Sequence, residues 1–245
     1  TEKVTVGASE SMSKSKKNTI DPEEMIKNYG ADAVRLFILS DSPPEKDVQW
    51  SEQGMLASHK FIQKFWVLHQ SIKEKLSMES AEFSEKNELE FLQFINKLIN
   101  KITKNLENFH YNVIVANFHE TYTFLIGAIK EPINKKILLE GYLKVLRIMS
   151  PVIPHLTSEC MEELGEKEDI NWPEADKKYL ETKNIQIVVQ INGKKRGLLD
   201  ADKDMDEEQI VNNLKSTPLY EKYLNNAKII RIIYVKGRLI NLIIK

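Results

Sequence analysis

The chain has 245 residues, a formal net charge of −1 and a single cysteine, Cys160. One cysteine excludes an internal disulfide and a thiolate metal cluster, and it favours a reducing, cytoplasmic location. No apolar run approaches the roughly 18 residues of a membrane span, so no membrane association is predicted. Because Thr1 is not an initiator methionine, we interpret the chain as a fragment.

Charge is distributed unevenly along the chain. Residues 183–245 carry 12 Lys and Arg against 7 Asp and Glu, whereas the preceding residues carry 23 against 29. A basic segment beside an acidic body favours a local contact with nucleic acid. Ordinary scatter of charge would give the same counts, and composition alone leaves both interpretations open.

The sequence of residues 1–50 predicts a short strand, a polar loop and two helices. Alternation at Lys3–Gly7 indicates the strand, and the lysine-rich run Met12–Asn18 (MSKSKKN) follows it. We interpret this run as an exposed loop able to close on an anion, although most such runs are only linkers. Asp21-Pro22 is a typical helix start, and Gly30 is predicted to separate the first helix from a second over 31–39.

Residues 51–164 show the helical period throughout. Apolar residues recur three and four positions apart in five segments joined by short polar connections, which predicts antiparallel neighbours in a bundle. The predicted helices span 51–76, 89–109, 112–130, 134–149 and 151–164. We assign these apolar side chains to core packing and not to a ligand site.

The period changes to two after a break at Trp172–Asp176. Residues 185–191 alternate, and Asn192-Gly193 is the favoured pair of a type I′ hairpin before a returning strand over 194–200. Two short helices and two further strands, over 228–235 and 238–244, complete the segment. The predicted fold is therefore mainly α with a small α+β domain: an antiparallel helical bundle followed by a compact C-terminal α+β unit.

No metal site is predicted from the sequence. His119-Glu120 lacks the second histidine of a zinc-protease helix, and we interpret His155 and Glu159 as a structural or solvated contact. Glycine-rich phosphate and dinucleotide loops are missing as well. Any catalytic contribution is therefore expected from the loop around Lys14.

The order of residues in this loop resembles a known family. Met12–Asn18, followed by Asp21-Pro22 and Tyr29–Arg35 (YGADAVR), is similar to the second signature of class I aminoacyl-tRNA synthetases. Together with Pro44–Trp50, these stretches look like the leucine, isoleucine and valine subgroup of that class. Pro151–His155 (PVIPH) resembles the last bundle helix of the leucine, isoleucine and valine subgroup.

Two closing stretches narrow the resemblance. Val188–Lys194 (VVQINGK) and Ile233–Leu242 (IYVKGRLINL) resemble the C-terminal domain of bacterial-type leucyl-tRNA synthetases. The resemblance then covers nearly the whole chain. The equivalent part of a valyl or isoleucyl enzyme stays an alternative, which the lack of a cysteine-rich zinc tail argues against. A non-catalytic tRNA-binding or RNA-scaffolding module is another.

The resemblance implies three domains of a leucyl-tRNA synthetase, which activates leucine with ATP and Mg²⁺ and attaches it to tRNA(Leu). Residues 1–50 would end the catalytic domain with the signature loop and stem-contact helices. Residues 51–176 would form the helical anticodon-binding bundle, and residues 183–245 the C-terminal tRNA-binding domain. The family implies a monomeric, cytoplasmic enzyme, of which this fragment alone would be inactive.

The same resemblance assigns residue roles in the loop. Lys14 matches the second lysine of the family's Lys-Met-Ser-Lys-Ser motif, and there it would stabilise charge on the leaving phosphates. Ser11 stands where the family has its first lysine, so that contribution is missing or supplied by Lys16 or Lys17. The implied ATP-binding residues are Met12, Ser13, Lys14 and Ser15, and the signature loop consists of these four and Ser11.

Cations at the two hairpins are the candidates for tRNA phosphate contacts. Lys194, Lys195 and Arg196 follow the first tight turn and are the first choice. Lys236 and Arg238, at the second turn, come next. The alternative is that both sets are solvated hairpin ends.

Overall fold

The computed structural model describes residues 7–78, 83–166, 171–180, 184–224 and 227–245. The chain divides into two compact units, Thr1–Leu180 and Glu181–Lys245. The first is helical and the second is an α+β unit, which confirms the predicted mainly-α fold with a small α+β domain. All but the last residue of the predicted strand at Lys3–Gly7 lies outside the described residues.

The described part of the helical unit contains seven α-helices. They are α1 (Pro22–Tyr29), α2 (Ala31–Ser40), α3 (Glu52–Ser77), α4 (Glu85–Glu107), α5 (Tyr111–Ala128), α6 (Lys135–Met149) and α7 (Pro154–Glu163), and a 3₁₀ turn follows at Lys177–Tyr179. Asp21 caps α1 through the Glu23 amide at 2.9 Å, as its position predicts. The Ser51 hydroxyl caps α3 in the same way, through the Gly54 amide at 3.1 Å.

Two helix starts differ from prediction. Helix α4 begins four residues before Leu89, because Ser84 caps it through the Asn87 amide and its first turn is polar. A polar first turn carries no apolar period, so the pattern hid it. Helix α7 begins at Pro154 and not at Pro151, since residues 151–153 form the turn that leaves α6.

One apolar core fills the helical unit and draws on α2 through α7. Its largest fully buried side chains include Tyr142, Phe65, Phe91 and Phe118. Helix α2 contributes Leu36 to this core. Helix α2, which follows the lysine-rich loop and α1 in the chain, is therefore packed into the same core as the long bundle helices. This packing gives the loop a rigid base.

The α+β unit is a four-stranded sheet with two helices. Its elements are β1 (Asn184–Ile191), β2 (Lys194–Asp202), α8 (Glu207–Lys215), α9 (Pro218–Tyr223), β3 (Ile229–Val235) and β4 (Leu239–Ile244). The strand order is β2-β1-β4-β3, with β1 and β4 parallel and the other neighbours antiparallel. Asn192 and Gly193 both have positive φ, 49° and 77°, as the predicted type I′ turn requires.

A second apolar core lies between this sheet and its helices. It contains Ile187 and Val189 of β1, Ile240 of β4, and Ile210 and Leu214 of α8, all fully buried. The start of α8 is fixed by a capping box, in which Asp206 and Gln209 each bond the other's backbone amide. Within the described ranges, no helix combines the length and apolar character needed to cross a bilayer.

Candidate functional site

The lysine-rich loop is a turn held by its own polar groups. The Ser13 amide donates to Asn18 Oδ1 at 2.9 Å, and the amides of the two following lysines donate to the Ser13 and Lys14 carbonyls at 3.2 Å. The Ser13 and Ser15 hydroxyls lie 3.2 Å apart. These bonds are all local, so the loop's shape follows from its own sequence.

The three lysines of the loop have different partners. Lys16 Nζ lies 3.0 Å from the Glu10 carboxylate, in an exposed pair that contributes little stability. Among the described residues, neither Lys14 nor Lys17 is within ion-pair distance of a carboxylate, and both are exposed. Lys14 is therefore the ammonium of the signature motif that is free to meet an anion.

A polar groove of about 730 Å³ adjoins the loop. Its walls are residues 9–12 on one side and 47–50 on the other, so the start of the signature loop lies beside the end of the Pro44–Trp50 stretch. Trp50 packs edge-on against Phe37 of α2, with ring centroids 5.3 Å apart. The groove wall is therefore anchored to the helical core, with Ser11 and Met12 at its rim.

Asp32 of α2 caps a helix that is distant in sequence. Its Oδ1 accepts bonds from the His155 amide at 3.3 Å and His155 Nδ1 at 2.9 Å, and its Oδ2 accepts one from the Leu156 amide at 2.7 Å. Helix α7 has no capping side chain of its own, and Asp32 is 5% exposed. The buried carboxylate thus satisfies the free amides at the start of α7.

Arg35, one turn further along α2, binds the turn before α7. Its Nε donates to the Val152 carbonyl at 2.9 Å and a terminal nitrogen donates to the Pro151 carbonyl at 2.7 Å. We name the contacts of Asp32 and Arg35 with residues 151–156 the α2–α7 clasp. Both stretches, Tyr29–Arg35 and Pro151–His155, were identified in the sequence by their resemblance to the family. Their contact joins residues more than 110 positions apart, so no local pattern predicts it.

A second polar network inside the helical unit centres on His69, which is fully buried. Its Nδ1 lies 3.1 Å from the Tyr142 hydroxyl and its Nε2 lies 3.0 Å from the Glu163 carboxylate. A carboxylate only accepts, so Nε2 carries the proton of neutral His69 and Nδ1 accepts from the Tyr142 hydroxyl. Cys160 of α7 is buried in the same core as Tyr142.

Burial and partners fix the protonation states in this network. Burial lowers the pKa of His69 below its usual value and raises the pKa of the Cys160 thiol to about 12. Hydrogen bonds from Lys73 and Gln70 lower the pKa of Glu163 to about 2. At neutral pH the thiol is protonated and Glu163 is ionised, so the network holds α3, α6 and α7 together and offers no nucleophile.

The histidine–glutamate pairs that the sequence analysis rejected as metal sites make structural contacts. His119 packs against Phe61 at a tilted angle with ring centroids 4.5 Å apart, and Glu120 pairs with Lys101 at 3.0 Å. His155 belongs to the α2–α7 clasp. Across the described parts of the chain, no group of three or more His, Cys, Asp or Glu side chains could hold a metal ion.

The candidate tRNA-contacting cations of the α+β unit form two separate groups. Lys194, Lys195 and Arg196 are exposed after the β1–β2 turn, and Lys236 and Arg238 are exposed at the β3–β4 turn. Because β1 and β4 run parallel, the turn that follows β1 and the turn that precedes β4 lie at opposite ends of the sheet. The structure does not bring these five cations together.

The Arg196 guanidinium is packed on an aromatic ring. It lies 4.9 Å from the centroid of Tyr223 on α9, and Lys222 Nζ lies 5.3 Å from the same ring. Stacking on a ring orients a guanidinium without neutralising it. Lys222 and Tyr223 were not predicted, because their proximity to the hairpin depends on how α9 packs on β2.

Comparison with known proteins matches these features to two protein families. Residues 88–211 match the family described as the anticodon-binding domain of tRNA ligase. Residues 4–51, which contain the loop and the groove wall, match the family of class I tRNA synthetases for I, L, M and V.

Curated relatives match nearly the whole chain. The leucine–tRNA ligase of Fusobacterium nucleatum is 34% identical over 96% of this chain and 29% of its own length. That of Wolbachia pipientis subsp. Culex pipiens is 35% identical over 99% of this chain and 30% of its own length. The chain therefore spans about 30% of the length of these relatives, and the resemblance to leucyl-tRNA synthetases is confirmed.

A solved structure shares the fold. It is the agnB2 LeuRS of Agrobacterium radiobacter K84, in a ternary complex with tRNA and LeuAMS. The TM-score is 0.74 at 24% identity, over 96% of this chain and 31% of that one. Since the first family match covers half of the sequence, the chain belongs to the family of anticodon-binding domains of tRNA ligases.

Proposed function

We propose that the chain is the C-terminal part of a leucyl-tRNA synthetase, a ligase that activates leucine with ATP and attaches it to tRNA(Leu). The observation that carries the proposal is the match of leucine–tRNA ligases over both the loop and the α+β unit, 99% of this chain in one relative. A module that only bound RNA would need the α+β unit but not the lysine-rich loop.

The proposed roles follow the predicted domains. Residues 1–50 close the ATP site, residues 51–176 hold the body of the tRNA, and residues 183–245 contact it through surface cations. The intact enzyme is proposed to be monomeric and cytoplasmic. The α2–α7 clasp supports this arrangement, because it ties the helices behind the loop to the bundle through a buried carboxylate.

Lys14 is proposed to stabilise the transition state of leucine activation. The leucine carboxylate attacks the α-phosphorus, the bond to pyrophosphate breaks, and negative charge accumulates on the leaving phosphates. A free ammonium on an exposed loop can follow that charge, so it binds the transition state more strongly than the ground state. The backbone and hydroxyls of Ser13 and Ser15, with Met12 at the groove rim, would position the phosphates.

The lysine that the family has at position 11 is proposed to be replaced by Lys17. Ser11 supplies no charge, and Lys16 is already next to Glu10 at 3.0 Å. Lys17 has φ of 53° at the end of the turn, and no carboxylate among the described residues pairs with it. The Mg²⁺ implied by the family would be bound with the ATP phosphates, and the described residues contribute no cluster of ligands to it.

Pyrophosphate exchange by the intact synthetase tests this function. With leucine present, Lys14→Ala should slow exchange by about 10²–10³-fold, the usual cost of one transition-state donor. The matched control is Lys16→Ala, which removes the same charge from the same turn and should cost much less. Exchange unaffected by Lys14→Ala would contradict the role of Lys14. A parent enzyme that exchanges with valine or isoleucine, or not at all, would contradict the leucyl assignment.

A further inference from the structure

The sheet of the α+β unit has one end where cations from three chain segments meet. The Asn192 amide donates to the Leu242 carbonyl and the Ile244 amide donates to Asn192 Oδ1, both at 3.0 Å, which fixes the β1–β2 turn beside the end of β4. The Lys245 amide donates to the Lys228 carbonyl at 3.1 Å. Lys228 and Lys245 therefore lie at the end of the sheet that carries the first hairpin.

Helix α9 adds two residues to this end. Gly197 of β2 lies so close to Leu219 that a Cβ there would be 2.5 Å from Leu219 Cδ1, so α9 is packed directly on β2. This packing puts Tyr223 under the Arg196 guanidinium and Lys222 beside it. We define the basic end by a set of six residues. They are Lys194, Lys195, Arg196, Lys222, Lys228 and Lys245, with Glu221 as the one carboxylate on α9.

The opposite end of the sheet is acidic. Strand β2 finishes there, and the Tyr234 hydroxyl donates to the Met205 carbonyl at 3.0 Å, which holds the following loop beside the end of β3. Ile185 lies against Gly237 of the β3–β4 turn. Six carboxylates and one exposed lysine, Lys203, lie on this end of β2, the loop and the first turn of α8, and we name the six carboxylates the acidic end. They are Asp200, Asp202, Asp204, Asp206, Glu207 and Glu208.

The two ends therefore present opposite potentials to a polyanion. Screening acts over about 10 Å at ordinary salt, so a phosphate near Lys236 or Arg238 also experiences the neighbouring carboxylates. At the basic end, α9 contributes only Glu221 against the six cations. Across residues 184–224 and 227–245, no side-chain ion pair occupies any cation, so those of the basic end are free to bind an anion.

We propose that the α+β unit binds RNA phosphates through its basic end alone. Lys222, Lys228 and Lys245 extend the contact made by Lys194, Lys195 and Arg196, and Tyr223 is a positioning residue that orients the Arg196 guanidinium. Lys236 and Arg238, which share the acidic end, make no contact with the RNA. This inference rests on the proposed function only for the class of the partner, an RNA.

Two double variants with the same change in charge test the proposal. One is Lys222→Gln with Lys228→Gln, and its control is Lys236→Gln with Arg238→Gln. Binding of a tRNA(Leu) transcript to the 245-residue chain is measured across a range of salt concentrations. The basic-end pair should raise Kd about tenfold or more near 0.1 M salt and reduce the salt slope by about 1 for each phosphate that the variant no longer binds. The acidic-end pair should change Kd less than about twofold, since it binds no phosphate.

Tyr223 needs its own comparison. Tyr223→Phe keeps the ring under Arg196 and should bind as the parent does, whereas Tyr223→Leu should weaken binding while the salt slope changes by less than about 1, because no charge is removed. Far-UV circular dichroism and thermal unfolding confirm that each variant is folded. If Tyr223→Leu binds like Tyr223→Phe, the positioning role is wrong.

The outcomes separate this inference from the proposed function. Equal losses of affinity in the two double variants, or a larger loss at the acidic end, would overturn the basic-end interface while leaving an RNA-binding chain. No binding of the parent chain even at low salt would instead contradict the tRNA-binding role of residues 183–245, and with it the inference. Selective loss at the basic end supports both.

Discussion

Charged side chains are used differently in the two units of this chain. In the helical unit, buried or half-buried charges are bonded to defined partners: Asp32 binds the start of α7, and Glu163 accepts from His69, Gln70 and Lys73. In the described residues of the α+β unit no ion pair forms, and its cations are exposed. Charge in the first unit fixes packing, whereas charge in the second is free to meet a partner.

The lysine-rich loop carries free charge like that of the α+β unit, although it belongs to the helical unit. Lys14 is exposed and free of carboxylates among the described residues, yet the helices behind it are held by the buried α2–α7 clasp. A free cation on a rigid base suits a group that must meet a transient charge. Removing a bonded charge should therefore lower stability, whereas removing a free charge should change activity or binding.

The largest expected loss of stability is for Asp32→Ala. It would remove the cap of α7 and leave three donors of residues 155–156 without their buried acceptor. We expect the free energy of unfolding to fall by about 2–4 kcal/mol. Urea unfolding followed by far-UV circular dichroism measures it. Asp32→Asn, which keeps one acceptor oxygen, should lose less, whereas no loss of stability in Asp32→Ala would show that the carboxylate is not needed.

A smaller loss is expected when one hydroxyl is removed from the His69 network. Tyr142→Phe would leave the buried Nδ1 of His69 without its donor and should cost about 1–3 kcal/mol. Tyr234→Phe is the matched control, because its hydroxyl bonds one backbone carbonyl in the α+β unit. It should leave unfolding of the helical unit unchanged, and an equal loss from Tyr234→Phe would show that the cost is not specific to the His69 network.

How much could be predicted from the sequence depends on the distance between the interacting residues. The apolar period gave every bundle helix, and Asn192-Gly193 gave the first hairpin, because these signals are local. The start of α4 at Glu85 was missed because its first turn is polar. The α2–α7 clasp was missed because its partners lie more than 110 positions apart.

The candidate site was predictable to the same extent. The role of Lys14 was predicted from the order of neighbouring residues and stays a prediction. Lys222 and Tyr223 could not be predicted, since their place beside Arg196 depends on α9 packing over Gly197. The separation of Lys194 from Lys236 depends on the parallel pairing of β1 and β4, which no local pattern reports.

The smallest expected effect on stability is its dependence on pH. The pKa of His69 is lowered in the folded protein, mainly by burial, so the unfolded chain takes up the proton first. Stability should therefore be constant above about pH 7 and decline as the pH falls below about 6.5, the ordinary histidine value. The pKa of His119 is lowered by burial as well and acts in the same direction.

Glu163 adds a second decline at lower pH. Its pKa is lowered to about 2, chiefly by the hydrogen bond from Lys73, so its contribution is complete above about pH 5 and is lost as the pH falls toward 2. Unfolding midpoints of the parent and of His69→Gln, measured from pH 8 to pH 3, separate the two groups. The variant should lose part of the decline near pH 6 and keep the one below about pH 4; an unchanged profile near pH 6 would exclude His69.

The most direct test of the account is a crossed comparison in the intact synthetase. Lys14→Ala and the double variant Lys195→Ala with Arg196→Ala are each assayed for leucine-dependent pyrophosphate exchange and for tRNA(Leu) affinity. We predict that the first slows exchange by about 10²-fold or more and leaves affinity nearly unchanged. The second should weaken tRNA binding, lower its salt slope by about 2 and leave exchange unchanged. If both variants impair the same step, the division between a catalytic loop and an RNA-binding end is contradicted.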